Sequence, residues 1–352
     1  MKKHNFSAGP SILPQEVLVQ ASKAILNFNN LDLSLLEISH RSADFVAVME
    51  KAQSLALDLL GLTGKGYTAL FLQGGASLEF LMVPYNLLRE NGKAAYLDSG
   101  TWASAAIKEA KYVGEVVVVA SSKDKNYAYI PKGYTIPSDA DYFHCTSNNT
   151  IFGTQLKEFP KTDIPMVCDM SSDIFSRKLD FSKFDLIYAG AQKNMGPAGT
   201  TLVVVKDAIL GKTGRNIPSM LNYQTHITKE SMHNTPPVFA VYVSMLTLQW
   251  LKDLGGIEAI EKINDAKAKL LYDEIDRNPN ITGTAATEDR SHMNVTFLVN
   301  DPDKAAAFDK NCKDAGISGI KGHKSVGGYR ASIYNAMPLE SVQVLVDVMK
   351  KI

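Results

Sequence analysis

The sequence predicts an α/β fold: a large domain with a mostly parallel sheet covered by helices, followed by a smaller C-terminal α+β domain. Helical and strand-like segments alternate from about Val17 to Leu254, which is the order expected when helices pack on a parallel sheet. The strand candidates are short and almost entirely apolar, which is typical of strands buried on both faces. Beyond Gly255 and Gly256 the order of elements changes, and this change predicts a second domain.

The large domain begins with two amphipathic segments. Apolar spacing predicts helices over residues 15–28 and 43–60, and Gly61 after the second suits a left-handed C-terminal cap. The run at 202–205 is apolar throughout, so we expect it to be buried on both faces rather than half-exposed as in many antiparallel sheets. Short apolar runs predict six strands, over residues 67–72, 94–97, 115–120, 166–168, 186–189 and 200–205.

The domain boundary is placed at Gly255 and Gly256, between two helical segments at residues 238–254 and 257–277. We therefore expect a large domain over residues 16–255 and a small domain over residues 256–352, joined by an N-terminal segment of residues 1–15. The predicted elements of the small domain are a strand at 294–299, a helix at 303–315, a strand at 328–333 and a helix at 339–350.

Composition argues against several classes of partner. The 352 residues include 37 Lys and Arg and 37 Asp and Glu, so no summed field attracts nucleic acid or an anionic membrane. Cys145, Cys168 and Cys312 are odd in number and lack the spacing of a metal site or a disulfide framework. The N-terminus lacks the apolar core of a signal peptide, and no run approaches the ~20 apolar residues of a membrane span. We therefore expect a cytoplasmic protein without metal, membrane or nucleic-acid partners.

Lys193 follows the predicted strand at 186–189. Open α/β folds bind their ligands at the carboxyl edge of the sheet, where such a residue stands. Burial there lowers the pKa of an amine and makes it a nucleophile that can form a Schiff base. The alternative is a solvated loop lysine, which this single residue does not exclude.

Asp169 ends the preceding predicted strand, 24 residues before Lys193. If the two strands are parallel neighbours in one sheet, both side chains lie at the same edge. A carboxylate there can keep the ring nitrogen of a pyridine cofactor protonated while the lysine holds the aldehyde carbon. The alternative role is a turn or helix cap next to Ser171 and Ser172.

Two further segments follow predicted strands. The segment QGGAS at residues 73–77 precedes a helix predicted from Leu78 onward, and small residues at a helix N-terminus let backbone amides reach a phosphate. An ordinary strand-to-helix turn is the alternative. Trp102 comes shortly after the strand at 94–97, and its flat indole can either stack on a cofactor ring or lie in the core.

The glycine-rich segment, the tryptophan, the acid and the lysine occur in the order and spacing of a pyridoxal-phosphate enzyme. Over essentially its whole length, the chain resembles the phosphoserine aminotransferase family of fold-type-I pyridoxal-phosphate enzymes. Eight ordered blocks carry the resemblance, which is far more specific than any one of them. The blocks are FSAGPSILP (6–14), SHRS (39–42), LFLQGGAS (70–77), SGTWA (99–103), CDMSSDIFSR (168–177), YAGAQKNMGPAG (188–199), HNTPPVFAVY (233–242) and GGYRASIYNAMP (327–338).

The resemblance implies the cofactor and its ligands. Lys193 would hold pyridoxal 5'-phosphate as a Schiff base, Asp169 would pair with the ring nitrogen, and Trp102 would stack on the ring. A seven-stranded sheet and a C2 homodimer are also implied. The remaining cofactor positions are Ala76, Ser77, Thr150 and Gln192, with Asn234 and Thr235 reaching the phosphate of the neighbouring subunit.

The implied reaction is reversible transamination between L-glutamate and 3-phosphohydroxypyruvate, which gives O-phospho-L-serine and 2-oxoglutarate in serine biosynthesis. Some relatives also use 4-phosphohydroxy-L-threonine in pyridoxine biosynthesis, and the sequence does not distinguish the two. Each substrate carries two anionic groups, so cationic side chains must converge although the chain is neutral. The family's anion-binding positions are occupied by His40, Arg41, His323, Lys324 and Arg330.

This chain departs from the family pattern at two positions. Some members have an arginine where this chain has Ser77, and many have an arginine where it has Lys324. Both differences leave fewer cations for a phosphate, so the sequence leaves the set of phosphate ligands open.

Three other functions compete with this one. A related pyridoxal-phosphate lyase or desulfurase shares the lysine and the aspartate, but it needs a reactive cysteine on a mobile loop. A catalytically silent scaffold on the same fold is disfavoured by the intact Lys193 and Asp169. A nucleotide-binding dehydrogenase is disfavoured because Gly74 and Gly75 do not form the G-x-G-x-x-G pattern.

Overall fold

The computed structural model of the chain describes residues 3–352. Its strands are β1 (His4–Asn5), β2 (Tyr67–Leu72), β3 (Lys93–Asp98), β4 (Glu115–Ser121), β5 (Tyr142–Thr146), β6 (Asn148–Asn149), β7 (Thr154–Gln155), β8 (Met166–Asp169), β9 (Leu186–Gly190), β10 (Thr201–Lys206), β11 (Ile281–Gly283), β12 (Asn294–Val299), β13 (Ile317–Ser318) and β14 (Tyr329–Ser332). Its helices are α1 (Gln15–Leu26), α2 (Ala43–Leu59), α3 (Gly75–Leu87), α4 (Thr101–Ala110), α5 (Ala191–Asn194), α6 (Tyr223–Thr228), α7 (Val238–Asp253), α8 (Gly256–Arg277), α9 (Pro302–Asp314) and α10 (Leu339–Met349).

A mostly parallel seven-stranded sheet forms the centre of the larger part of the molecule, with strand order β2-β10-β9-β8-β5-β3-β4. All six predicted strands belong to it. The seventh, β5, was not located from the sequence and lies between β3 and β8, parallel to both. Gly61 after α2 has a φ of 65°, which confirms the left-handed cap expected there.

Strand β10 runs in the opposite direction to its neighbours. The expected burial of residues 202–205 is confirmed, since none of these side chains is exposed. The strand is nevertheless antiparallel to both β2 and β9. The reason is the short connection: only residues 191–200 join β9 to β10, whereas a parallel crossover needs a dozen or more residues.

Helices cover both faces of this sheet, and a second core lies in the C-terminal part. Helices α2 and α7 pack on each other and on one face, while α3 and α4 pack on the other. The second core surrounds the sheet β11-β12-β14 and helices α8, α9 and α10, and it includes Phe6 from the N-terminal segment. Gly255, with a φ of 107°, precedes α8. The division at residues 255 and 256 stays a prediction.

Helix α3 begins at Gly75, three residues before the predicted start, and contains a fully buried carboxyl group. Glu79 has no exposed surface, and its Oε2 accepts a hydrogen bond from the Tyr223 hydroxyl. Oε1 has no hydrogen-bond partner among the described residues. Burial raises the pKa of Glu79 to about 8, although the bond from Tyr223 opposes the shift. Glu79 is therefore protonated in the folded protein at neutral pH.

We expect this buried proton to make stability depend on pH. Between about pH 5 and 8 the folded protein keeps the Glu79 proton while the unfolded chain releases it, so the wild type loses stability as pH rises. Glu79→Gln has the shape of the protonated acid but does not titrate. We compare the unfolding free energies of the two proteins, taking the wild type minus Glu79→Gln. As pH rises, this difference should fall with a slope approaching ~1.4 kcal/mol per pH unit, and it should level off above about pH 8. Denaturant titrations across this range test it, and a pH-independent difference would contradict it.

Candidate active site

Two charged residues lie at the carboxyl edge of the sheet, at the ends of adjacent strands. Asp169 is the last residue of β8, and α5, which contains Lys193, starts directly after β9. Strands β8 and β9 are parallel, and Asp169 is paired with Tyr188 in their register. The two chain segments therefore leave the sheet at the same edge, where open α/β folds bind ligands.

The Lys193 amine is held by a neighbouring threonine and lies near an indole ring. Its Nζ donates a hydrogen bond of 2.9 Å to Oγ1 of the buried Thr150 and lies 5.8 Å from the ring centroid of Trp102. Burial lowers the pKa of Lys193, the Asp169 carboxylate opposes this shift, and the Arg330 guanidinium adds to it. A larger fraction of this amine is therefore unprotonated, and nucleophilic, than for a solvated lysine.

Asp169 is buried, with only 4% of the residue exposed. Its Oδ1 accepts a hydrogen bond of 2.9 Å from the backbone N–H of Ser171, while Oδ2 has no partner within residues 3–352. Burial raises the pKa of Asp169, and the charge of Lys193 and the bond from Ser171 oppose the shift. One carboxylate oxygen is thus held in place and the other is available to a cationic N–H group.

The N-terminus of α3 provides a potential phosphate cradle. Gly74, at its N-cap, has a φ of 97°, and a Cβ there would lie 2.5 Å from Leu78, so only glycine fits. Ala76 and Ser77 lie in the first turn, and no side chain caps this end. The first-turn amides and the positive end of the helix dipole are therefore free to hold an anion.

The N-terminal segment packs directly against the lysine-bearing turn. The backbone N–H of Ser11 donates to the carbonyl of Gln192 at 3.0 Å, and the Ser11 hydroxyl donates to the carbonyl of Lys193. Gly9 lies so close that a Cβ there would be 3.3 Å from Cγ of Lys193. We did not predict these contacts; the only signal for them was the block at residues 6–14, to which we assigned no role.

On its other side the same turn is held by a buried amide network. The carboxamide oxygen of Asn194 accepts a hydrogen bond of 2.9 Å from the backbone N–H of Asn335. The Asn335 side chain donates to the carbonyl of Phe175 at 3.0 Å and accepts from Asn264 of α8 at 2.8 Å. The C-terminal part of the chain thereby fixes the position of the residue next to Lys193.

Replacing Asn335 with alanine should destabilise the protein. The carbonyl of Phe175 and the amide of Asn264 would each lose a partner, and a buried unpaired polar group costs about 1–3 kcal/mol. We expect the unfolding free energy to fall by at least about 2 kcal/mol in denaturant titrations. The matched control is Asn91→Ala, because Asn91 is exposed and its side chain forms no hydrogen bond within the described residues. Equal stability of the two variants would contradict the network's role.

These residues fit pyridoxal phosphate. The amine of Lys193 suits its aldehyde, the free oxygen of Asp169 suits its ring nitrogen, and the uncapped amides at the start of α3 suit its phosphate. Trp102 is 38% exposed, so its indole face is accessible to a planar ring. Each of these groups has the chemical character that the corresponding part of the cofactor requires.

Of the predicted substrate residues, Arg330 lies at this site. Its Nη1 donates to the carbonyl of Thr150 at 3.3 Å, while its Nε is buried and unpartnered within the described chain. The other four side chains lie on two turns, before α2 and before β14, and no described contact joins them to Lys193. They are His40, Arg41, His323 and Lys324.

Asn234 and Thr235 lie on the loop before α7. The side chain of Gln73, next to the phosphate cradle, donates to the carbonyl of Thr235 at 2.9 Å. Thr235 is exposed, and Asn234 is half-buried. Their predicted contact with the phosphate of a neighbouring subunit remains a prediction.

Comparison with known proteins identifies the family of this chain. Residues 3–345 match the aminotransferase class-V family. The phosphoserine aminotransferase of Flavobacterium johnsoniae is 77% identical over 350 residues, covering 99% of this chain and 98% of the relative.

Two solved structures are similar over the whole chain. Phosphoserine aminotransferase from Bacillus circulans subsp. alkalophilus has a TM-score of 0.96 at 44% identity, covering 99% of this chain and 98% of that one. The pyridoxal-phosphate-bound phosphoserine aminotransferase from Trichomonas vaginalis has a TM-score of 0.94 at 35% identity, covering 99% and 100%. This chain therefore belongs to the class-V aminotransferases and, among them, to the phosphoserine aminotransferases.

Proposed function

We propose that this chain is a pyridoxal-phosphate-dependent aminotransferase that transfers an amino group reversibly between L-glutamate and 3-phosphohydroxypyruvate, giving O-phospho-L-serine and 2-oxoglutarate. The observation that carries the proposal is that the Lys193 amine and the buried Asp169 carboxylate lie at one sheet edge, close enough for each charge to affect the pKa of the other. Membership of the phosphoserine aminotransferases supports the choice of substrates.

The chain's own residues account for the proton transfers of such a reaction. Bound pyridoxal phosphate supplies an aldehyde that holds the substrate amine and a protonated ring that withdraws electrons from the reacting carbon. Asp169 keeps the ring nitrogen protonated, because its buried carboxylate is most stable beside a cation. The amine of Lys193, with its pKa lowered by burial and released once the substrate amine has replaced it on the aldehyde, would take the proton from the substrate carbon and deliver it to the former aldehyde carbon.

Other site residues orient the reactants. Thr150 fixes the direction of the lysine amine through its 2.9 Å hydrogen bond, and Trp102 offers a flat face to the ring. Ala76, Ser77 and Gln192 line the cofactor's position, and Arg330 binds a substrate carboxylate with its planar fork. These assignments are proposals, as are the phosphate contacts of His40, Arg41, His323 and Lys324.

A coupled assay tests this function. The purified protein, loaded with pyridoxal phosphate, is given L-glutamate with 3-phosphohydroxypyruvate, and 2-oxoglutarate formation is followed. Unphosphorylated hydroxypyruvate is the control, and 4-phosphohydroxy-L-threonine with 2-oxoglutarate forms a second arm. We expect turnover with the phosphorylated 2-oxo acid and much less with hydroxypyruvate. Equal turnover of both, or no turnover, would refute the proposal.

A cysteine-dependent lyase or desulfurase is disfavoured by the thiols of this chain. Cys145, Cys168 and Cys312 are all buried. Burial raises the pKa of Cys312 to about 12 and that of Cys168 well above its usual range. Cys168 and Cys312 are therefore protonated, and all three thiols are inaccessible, so they do not provide the reactive nucleophile that such enzymes require.

We also propose a C2 homodimer in which each active site receives Asn234 and Thr235 from the neighbouring subunit. The proposal is supported by the position of these residues on a partly exposed loop beside Gln73. It is further supported by His40, whose buried Nε2 has no partner within the described residues of one chain. A second copy would supply groups that one chain lacks.

Co-expression of two inactive variants tests the shared site. Lys193→Ala removes the amine from its own site, and Asn234→Asp places a negative charge beside the neighbour's cofactor phosphate. A mixed dimer then contains one intact site and one doubly defective site. Random pairing should restore roughly a quarter of wild-type activity. Activity no greater than the sum of the separate variants would contradict a shared site.

The location of the protein stays a prediction. In the part of the chain that the structure describes, no helix is both long and apolar enough to cross a bilayer. We propose the cytoplasm, as expected from the odd number of cysteines and the pathway implied by the family. Fractionation of cells that produce the protein would test this location.

A further inference from the structure

A cavity of about 600 Å³ lies beside the N-terminal segment, between that segment, α9 and the start of β14. Its walls include Lys3 and Gly9 from the N-terminal segment, Asp309 and Lys313 from α9, and Arg330 from β14. The volume is sufficient for a small phosphorylated acid.

The inner end of this cavity adjoins the reaction site. Gly9, in the cavity wall, is so close to Lys193 that a Cβ on it would lie 3.3 Å from Cγ of the lysine. Arg330, also in the wall, donates to the carbonyl of Thr150, whose hydroxyl accepts the bond from Lys193. The cavity wall therefore includes one residue that packs against the Lys193 side chain and one that is bonded to the threonine that holds the Lys193 amine.

The cavity is cationic although the chain as a whole is neutral. Four cations line it, against the single carboxylate of Asp309. Asp309 is already paired with Lys321 and accepts a hydrogen bond from Tyr329. The other three, Lys3, Lys313 and Arg330, have no carboxylate partner within residues 3–352.

This charge distribution has a direct consequence for anions. Unpaired positive charges in a concave, partly enclosed surface focus the field and raise the local concentration of anionic ligands. Ammonium groups bind a phosphate as point charges, and the arginine fork suits a carboxylate. Lys3 and Lys313 are exposed and Arg330 is half-buried. A ligand with a phosphate and a carboxylate about three atoms apart therefore complements this cavity, its phosphate at the exposed lysines and its carboxylate at Arg330.

We propose that this cavity is a capture site for the phosphorylated substrate, which binds through Lys3 and Lys313 before its carboxylate reaches Arg330. The ligand class is a phosphate monoester of a small carboxylic acid. The proposal rests on the proposed function for the identity of the substrate, but the binding of such an anion does not depend on turnover.

The test uses 3-phosphoglycerate, which carries the same phosphate and carboxylate but no carbonyl group that can react. Its affinity for the holoenzyme is measured by calorimetry for the wild type, for Lys313→Glu and for Lys304→Glu. Lys304 lies on the same helix, does not line the cavity, and undergoes the same change of charge. Glycerate, which lacks the phosphate, is the ligand control.

We expect Lys313→Glu to weaken 3-phosphoglycerate binding about tenfold or more, as for loss of a charge-assisted contact, and Lys304→Glu to change it less than about twofold. In turnover, Lys313→Glu should lower kcat/KM for 3-phosphohydroxypyruvate and leave kcat unchanged. Unaltered binding in Lys313→Glu, or an equal loss in both variants, would overturn the proposal. Because binding is measured without turnover, failure of the transamination assay would refute the function and not the capture site.

Discussion

Replacing Lys193 with alanine is expected to abolish transamination and the visible absorbance of covalently held pyridoxal phosphate together. The amine both holds the cofactor and moves the proton, and proton transfer by a positioned side chain alone contributes about 10²–10⁴-fold to the rate. The measurement compares kcat and the visible spectrum of the variant with those of the wild type after incubation with the cofactor.

The matched control for this prediction is Lys65→Ala. Lys65 is exposed and lies two residues before β2, which runs parallel to β9, so it lies at the opposite edge of the sheet from Lys193. Its removal should leave both the spectrum and the rate as they are. Turnover near the wild-type rate in Lys193→Ala would show that another group performs the chemistry.

The second large effect is expected for Asp169→Asn. The amide keeps the shape of the side chain but loses the charge that stabilises a protonated ring nitrogen, so kcat should fall by about 10²-fold or more while the cofactor remains bound. The Asp169 carboxylate also raises the pKa of Lys193 against the effect of burial. Removing it should therefore shift the pH midpoint for reaction of the apoprotein amine with pyridoxal phosphate to lower pH.

Asp163→Asn is the control for this variant, because Asp163 is exposed and lies before the start of β8, at the opposite end of the same strand. It should change neither kcat nor the pH midpoint. A normal kcat in Asp169→Asn would exclude the assigned role, and a midpoint displaced to higher pH would contradict the electrostatic coupling with Lys193.

The strands and the core of the site were predictable because they depend on local sequence. The apolar run at Tyr67–Leu72 forms β2 with the predicted bounds, and a lysine and an acid after two such runs meet once the strands are parallel. Sequence alone therefore predicted that Asp169 and Lys193 share one edge. The antiparallel direction of β10 was not predicted, since direction depends on the length of the connection and not on apolar character.

Strand β5 escaped prediction because its sequence, YFHCT, contains polar residues. In the structure all five residues are buried, and the His144 ring is hydrogen-bonded to the Tyr188 hydroxyl at 2.8 Å. A partner supplied by another strand makes a histidine compatible with the core, and no local pattern reveals that partner. The segment that follows this strand then places Thr150 close enough to bond Lys193.

The contacts of Ser11 and Asn335 with the turn that carries Lys193 were not predictable for a similar reason. Ser11 and Lys193 are 182 positions apart, and Asn194 and Asn335 are 141 apart. Such contacts follow from how the N-terminal segment and the C-terminal part pack on the sheet, which apolar periodicity does not encode. The cavity proposed as a capture site was not predictable either, because its lysines come from segments at opposite ends of the chain.

The most direct test of the central claim is to locate the cofactor on the chain. Purified protein is incubated with pyridoxal phosphate, reduced with borohydride to make the carbon–nitrogen bond permanent, digested, and mapped by mass spectrometry. The account predicts one phosphopyridoxyl group, on Lys193. Attachment to a different lysine, or no specific attachment, would contradict it.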